Sequence, residues 1–127
     1  AELEDLVSEK LLAPTLAARV IANRMQLTLT QGSILHVVRA PAPNSQEELM
    51  VLEIVRATLA AVVRSEARNW SDKGIRINAV APATGLEAFE QTLLGEPDVA
   101  ALALYLASLK GRDLTGHLFD TRNAGCR

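Results

Sequence analysis

Gly74-Ile75-Arg76-Ile77-Asn78-Ala79-Val80-Ala81-Pro82 is the stretch around which the rest of the chain falls into order. Arg76 to Val80 predicts a short strand that stops before Pro82, a residue with no N–H to give a ladder. Immediately before it, a helix is expected from about Ser45 to Trp70. Asn44 or Ser45 can cap it, and Glu47 and Glu48 lie in its first turn, where the positive end of the helix dipole favours carboxylates. Further back, Ser33-Ile34-Leu35-His36-Val37-Val38 is bounded by Gly32 and by Pro41 and Pro43 and is apolar on both faces, as in a fully buried parallel strand. From Leu3 to about Met25, the positions Leu3, Leu6, Val7, Leu11, Leu12, Leu16, Val20 and Ile21 recur mostly at three and four residues, the mark of a helix with one buried face that Pro14 kinks or divides. Beyond Pro82, Gly95-Glu96-Pro97-Asp98 starts a third helix that should end near Ser108. Leu118-Phe119-Asp120-Thr121 is a third strand. The order α-β-α-β-α-β implies parallel strands joined by right-handed crossovers.

Composition limits what such a chain can do. With 127 residues, of which 49% are hydrophobic, it can bury one core. No Gly-, Ser- or Pro-rich linker separates a second unit, so a single domain over residues 1–127 is expected. A net charge of −2, with thirteen scattered Lys and Arg, leaves no basic excess for a phosphate backbone or an anionic lipid surface. Neither nucleic acid nor membrane is an expected partner. No apolar run is long enough to span a bilayer, and the lone Cys126 fits a reducing compartment, so a cytoplasmic address is expected.

Five segments, in this order and context, resemble the C-terminal half of a short-chain dehydrogenase/reductase. They are Gly32-Ser33-Ile34-Leu35, Gly74 to Pro82, Gly95-Glu96-Pro97-Asp98-Val99-Ala100, Leu106-Ala107-Ser108 and Leu114-Thr115-Gly116-His117. The resemblance covers most of the chain. It implies an α/β class: a truncated Rossmann-like three-layer fold, with a short parallel sheet of about three strands flanked by helices, equivalent to the last three strands of a seven-stranded sheet. The glycine-rich turn that offers a helix N-terminus to a pyrophosphate has no counterpart here. In that family the cofactor is NAD or NADP.

The family's catalytic positions, carried over one at a time, hold other residues. Its Asn falls within Lys10-Leu11-Leu12-Ala13-Pro14, which contains none. Its Tyr falls on Leu52 and its Lys on Arg56, since Arg56-Ala57-Thr58-Leu59 looks like the segment that follows that Lys. Its Ser falls at or near Arg39. A tyrosine whose pKa is lowered by the neighbouring lysine supplies the proton in this chemistry, and leucine has none to give. The segment between Pro82 and Gly95, which forms the substrate lid in typical members, is here only Ala83 to Leu94. Pro82, Ala83 and Thr84 resemble the motif that touches nicotinamide, with Ala83 in place of its Gly, and look vestigial.

Other residues have plainer explanations. His36, inside an apolar strand, reads as a buried histidine bonded to backbone, and His117 as a strand-end residue. Two His, one distant Cys and no ligand-spaced pair give no transition-metal site. Arg64, Arg68 and Lys73 with Glu66 and Asp72 read as a solvated helix end. The expectation is therefore a non-catalytic subunit of this fold acting in protein assembly, with no catalytic residues, no metal and no cofactor. Its partner is a copy of itself or a full-length relative. In the family, the helix over Ser45 to Trp70 commonly packs against its counterpart in a neighbouring subunit, so Leu49, Leu52, Leu59 and Val63, spaced along it, are the expected interface. The alternative is the C-terminal part of an NAD- or NADP-dependent oxidoreductase whose cofactor-binding half comes from another segment or chain; Pro82, Ala83 and Thr84 would then border the cofactor.

Overall fold

In the computed structural model, which describes Asp5 and residues 8–39, 45–82 and 96–121, Ser45 sets where the longest helix begins. Its backbone is extended (φ −145°, ψ 164°), and its Oγ accepts the Glu48 N–H at 3.1 Å, satisfying one of the orphan donors of helix α2 (Gln46–Trp70). Leu52, Val55, Leu59, Val63, Ala67 and Trp70 recur every three or four residues along α2 and turn inward. A 3₁₀ turn, Ser71–Lys73, leads to Gly74, whose φ of 70° is left-handed. A Cβ on Gly74 would lie 2.7 Å from Cγ of Gln31, so only glycine fits this corner. The chain then enters strand β2 (Ile75–Pro82), which has β1 (Gly32–Val37) on one side and β3 (Leu118–Thr121) on the other, both parallel to it.

The register builds the core. Ile34 lies opposite Ile77 and His36 opposite Ala79, so these residues share one face of the sheet. On that face Ile75, Ile77, Ala79 and Ala81 pack with Val55, Leu59 and Val63 of α2 and with Ala18 and Ala22 of α1 (Ala13–Leu27). Burying each of the larger side chains stabilises the fold by roughly 1.5–3 kcal/mol before the entropy of ordering them is counted. On the opposite face lies helix α3 (Glu96–Ala107), where Arg76 donates through Nη1 to the Leu106 carbonyl at 2.7 Å and so places a cation at the negative end of the helix. Three layers and a short parallel sheet result, as the sequence implies.

Four expectations are corrected by the packing. The Leu12, Leu16, Val20 and Ile21 stripe faces outward, each 47–69% exposed, and the inner face of α1 is Ala18 and Ala22, with Leu11 from the π-helical turn Ser8–Leu12 and Met25 beside them. Alanines a turn apart let the helix approach the sheet closely, which the bulkier stripe would prevent. Pro14 falls in the first turn of α1, so it begins this helix instead of kinking it. Strand β1 is mostly half-buried, with Val37 43% exposed, because β2 is its one neighbouring strand among the described residues. Finally, α2 and α3 lie on opposite faces while the chain steps across the sheet in the same direction from β1 to β2 to β3. The two crossovers therefore have opposite hands and cannot both be right-handed. Leu3, Leu6, Val7, Pro41, Pro43, Asn44, Ala83 to Leu94 and Cys126 lie outside the described residues.

Helix α1 ends in a Schellman arrangement, with Leu29 N–H on the Gln26 carbonyl at 3.2 Å and Thr30 N–H on the Met25 carbonyl at 2.8 Å. Leu29 occupies its left-handed position (φ 55°) while its side chain is 92% exposed, so it bears the backbone cost without burial to offset it. Leu29→Gly should raise unfolding stability by about 1 kcal/mol, read as an increased urea midpoint at unchanged m-value. An unchanged or lowered midpoint would show that the turn carries no such strain.

Candidate functional site

In open parallel sheets with helices on both faces, ligands approach the carboxyl ends of the strands. At that end of this sheet the polar centre is Arg56. Helix α2 carries it alongside β2, and its Nη1 donates to the carbonyls of Ala81 (3.2 Å) and Pro82 (2.8 Å), the last two residues of β2. Its Nη2 donates to Oδ1 of Asp120 in β3. The side chain is 19% exposed, so this is a half-buried, charge-assisted bracket joining one helix to two strand ends. One turn earlier, Leu52 is buried and offers no ionisable group. Arg39, just past β1, is exposed. The Lys10 to Pro14 segment straddles the π-helical turn and the start of α1, with Leu11 buried and Leu12 exposed. The arrangement holds strand ends together. The one phenol among the described residues, Tyr105, is on α3, away from this bracket's partners, and among the described residues no three His, Cys, Asp or Glu come together as metal ligands.

A second polar set fixes the approach to β3. Asn78, fully buried in β2, donates Nδ2 to the Leu114 carbonyl at 3.0 Å, and its Oδ1 accepts the His117 N–H at 3.1 Å. Thr115 Oγ1 accepts the Ile77 N–H at 3.0 Å, and the Gly116 N–H reaches the Ile77 carbonyl at 2.7 Å. Gly116 (φ 80°) comes so close to α2 that a Cβ there would lie 3.2 Å from that of Ala67. Beside it an open groove of about 630 Å³ is lined by Ala61, Arg64, Arg68, Ser71 and Thr115 among others. The role of Asn78 was visible in the sequence only as a polar residue that, with Arg76, interrupts an apolar strand, a signal that it satisfies backbone somewhere.

The helix-end cluster is only partly solvated. Glu66 is buried, where an exposed residue was expected; its Oε2 lies 3.5 Å from Nε of Arg19 and its Oε1 accepts from Asn69 Nδ2 at 3.3 Å, which ties α2 to α1. His36 is buried as expected, yet its Nε2 has no hydrogen-bond partner among the described residues. His117 is exposed, its ring 6.1 Å from that of Phe119.

Of the expected interface positions, Leu49 is half-buried, while Leu52, Leu59 and Val63 are buried inside this chain. Leu59 and Val63 lie in the core against β2 and so are not free to meet a second subunit. They line the inward face of α2 because apolar spacing marks a buried stripe without saying which body buries it. Of Pro82, Ala83 and Thr84, Pro82 is buried at the end of β2 with its carbonyl on Arg56; the other two lie outside the described residues.

The fold is that of the Rossmann-type dehydrogenases. The chain superposes on a 4-hydroxyisoleucine dehydrogenase complexed with NADH and succinate at a TM-score of 0.71 and 20% identity, covering 95% of this chain and 57% of that one. It superposes similarly on a doubly substituted short-chain dehydrogenase/reductase from Serratia marcescens, at a TM-score of 0.70 and 18% identity, covering 95% of this chain and 54% of that one. For the acetoin dehydrogenase YohF from Salmonella typhimurium the TM-score is 0.72 and the identity 17%, over 95% and 54% of the two chains. The chain thus spans little more than half the length of the structures it resembles. No family model matches the sequence, and no curated protein matches it. Among the described residues, no helix is long and apolar enough to cross a membrane.

Two outcomes follow from the burial of individual side chains. Leu59→Ala should cost about 2–5 kcal/mol in urea unfolding, a core effect, and a loss of association with unchanged folding stability would contradict it. For His36, burial holds the imidazole below its ordinary pKa of 6.5, so the folded state favours the neutral ring. As pH falls below about 6.5 the unfolded chain takes up a proton that the folded chain resists, and stability drops. The stability lost between about pH 7.5 and about pH 5.5 should therefore shrink in His36→Leu, and an equal loss in both proteins would refute the assignment.

Proposed function

We propose that this chain is a non-catalytic unit with a short-chain dehydrogenase/reductase-like fold whose role is protein–protein assembly in the cytoplasm, with a copy of itself or a full-length relative as partner. The observation that carries this reading is the Arg56 bracket. A cation at that position in a working site must be free to hold a cofactor hydroxyl or to lower the pKa of a phenol. Here the guanidinium is committed to Ala81, Pro82 and Asp120, and the residue a turn away is the buried Leu52. Among the described residues, no phenol stands beside it to give a proton. The apolar stripe Leu12, Leu16 and Val20, left outside by the packing of α1, supports an assembly role, since exposed apolar surface of this kind marks contact sites.

A second reading is favoured by the extent of the superposition. Because the chain matches only 57% of a dehydrogenase bound to NADH, it can be the C-terminal part of an NAD- or NADP-dependent oxidoreductase whose cofactor-binding half lies in another segment or chain. Pro82, Ala83 and Thr84 would then border the cofactor.

Titration calorimetry with NADH and with NADPH separates the two. The chain by itself should give no saturable heat with either dinucleotide. Tight, saturable binding would overturn the non-catalytic reading, as would its appearance when a glycine-rich Rossmann half is supplied.

A further inference from the structure

We propose that the groove between α2 and the approach to β3 is an anion site, and that its ligand is the phosphate monoester of a small molecule, held between the guanidinium groups of Arg64 and Arg68. This goes beyond the assembly reading, because the groove lies at the amino ends of the strands and not at the carboxyl ends where Arg56 sits.

Ala61, Ala67 and Gly116 line the groove with small residues, and Ser71 and Thr115 add hydroxyls. Gly116 is held in place by its N–H on the Ile77 carbonyl at 2.7 Å. A Cβ there would stand 3.9 Å from Cγ of Arg64, so the stem of Arg64 packs beside the glycine. Arg68, one turn further along α2, donates through Nε to the Arg64 carbonyl at 3.4 Å. That bond keeps its side chain along the same stretch of helix and leaves both Nη groups for a ligand.

Charge then selects the ligand. Among the described residues no carboxylate lines the groove, and neither Arg64 nor Arg68 has an acidic partner, whereas Arg56 is answered by Asp120 and Lys73 by Asp72. Like charges a turn apart on a helix repel each other. Arg68, in the last turn of α2, is compensated by the negative end of the helix dipole, but that effect falls off within one turn and does not reach Arg64. Two adjacent guanidiniums match a dianion. A phosphate monoester carries close to two negative charges at neutral pH and offers three acceptor oxygens, enough for both forks. A carboxylate satisfies one fork and leaves the second cation unanswered. The volume of about 630 Å³ exceeds a bare phosphate ion and fits a small organic phosphate with its far end toward solvent. The three connections at this end of the sheet, residues 28–31, 71–74 and 108–117, all belong to the described chain. Any further segment lying across the groove would have to supply an anion to the same two cations.

Titration calorimetry and amide chemical-shift mapping with inorganic phosphate and with glycerol phosphate, at constant ionic strength, test this. Both should bind saturably and shift the Thr115 and Gly116 amides, the ester binding more tightly than the bare ion. Arg64→Gln and Arg68→Gln should each weaken binding about tenfold or more with unchanged circular dichroism, and if one of them unfolds the other decides. Succinate is the carboxylate control, and equally tight binding of succinate overturns the phosphate assignment. Shifts that follow sodium chloride as closely as phosphate, binding that survives Arg64→Gln in folded protein, or no binding at millimolar phosphate would each overturn the site. A dinucleotide held at the carboxyl ends of the strands would keep its affinity in Arg64→Gln, so this proposal and the non-catalytic reading fail separately.

Discussion

Everything in this chain is arranged around the burial of β2. A strand flanked on both edges and covered on both faces cannot leave a polar group unpaired without a cost of about 1–3 kcal/mol for each, and β2 meets that constraint residue by residue. Its odd-numbered residues Ile75, Ile77, Ala79 and Ala81 fill the core under α1 and α2. Two of its even-numbered side chains bond to backbone on the other face. Arg76 holds the end of α3, and Asn78 ties down the segment leading into β3. The small residues toward the carboxyl end, Ala79 and Ala81, leave room for α2 to lie close and for Arg56 to reach the last two carbonyls of the strand.

That reach decides what the carboxyl edge can do. In an open parallel sheet the carboxyl ends of the strands are where a ligand would approach. Here Arg56 makes a structural joint between helix and strands, with Asp120 as counter-ion. A guanidinium suits this task better than an ammonium because its planar fork can hold two carbonyls and a carboxylate at once. Fold likeness to dehydrogenases carries the architecture, while the chemistry rests on the side chains present.

The open flank of the sheet raises a different issue. β1 is apolar in the manner of an interior strand and yet lies at an edge of the sheet among the described residues, and the helices touching it on each face bear exposed apolar residues. The Nε2 of His36, next to Val37 and without a hydrogen-bond partner among the described residues, adds a buried polar group whose cost is least when the ring stays neutral.

The sequence by itself determined the order and kind of the elements. Ser45 as cap, the glycine at 74, the proline at 82 and the 3.6-residue spacing of α2 are local signals, and local signals specify where a helix or strand begins and ends. Tertiary structure alone decided which face of each helix turns inward. Leu12, Leu16 and Val20 read as a buried stripe, yet the alanines opposite them pack on the sheet, because close approach rewards small side chains and periodicity does not record distance. Leu59 and Val63 read as an interface and proved to be core, since hydrophobic spacing is the same whether the covering surface belongs to the same chain or another. Glu66 read as solvated until Arg19, far earlier in the chain, was brought to it by the packing of α1 on α2. The hand of the second crossover and the commitment of Arg56 to Asp120 are likewise relations between distant residues, and only the folded chain, by closing those distances, could settle them.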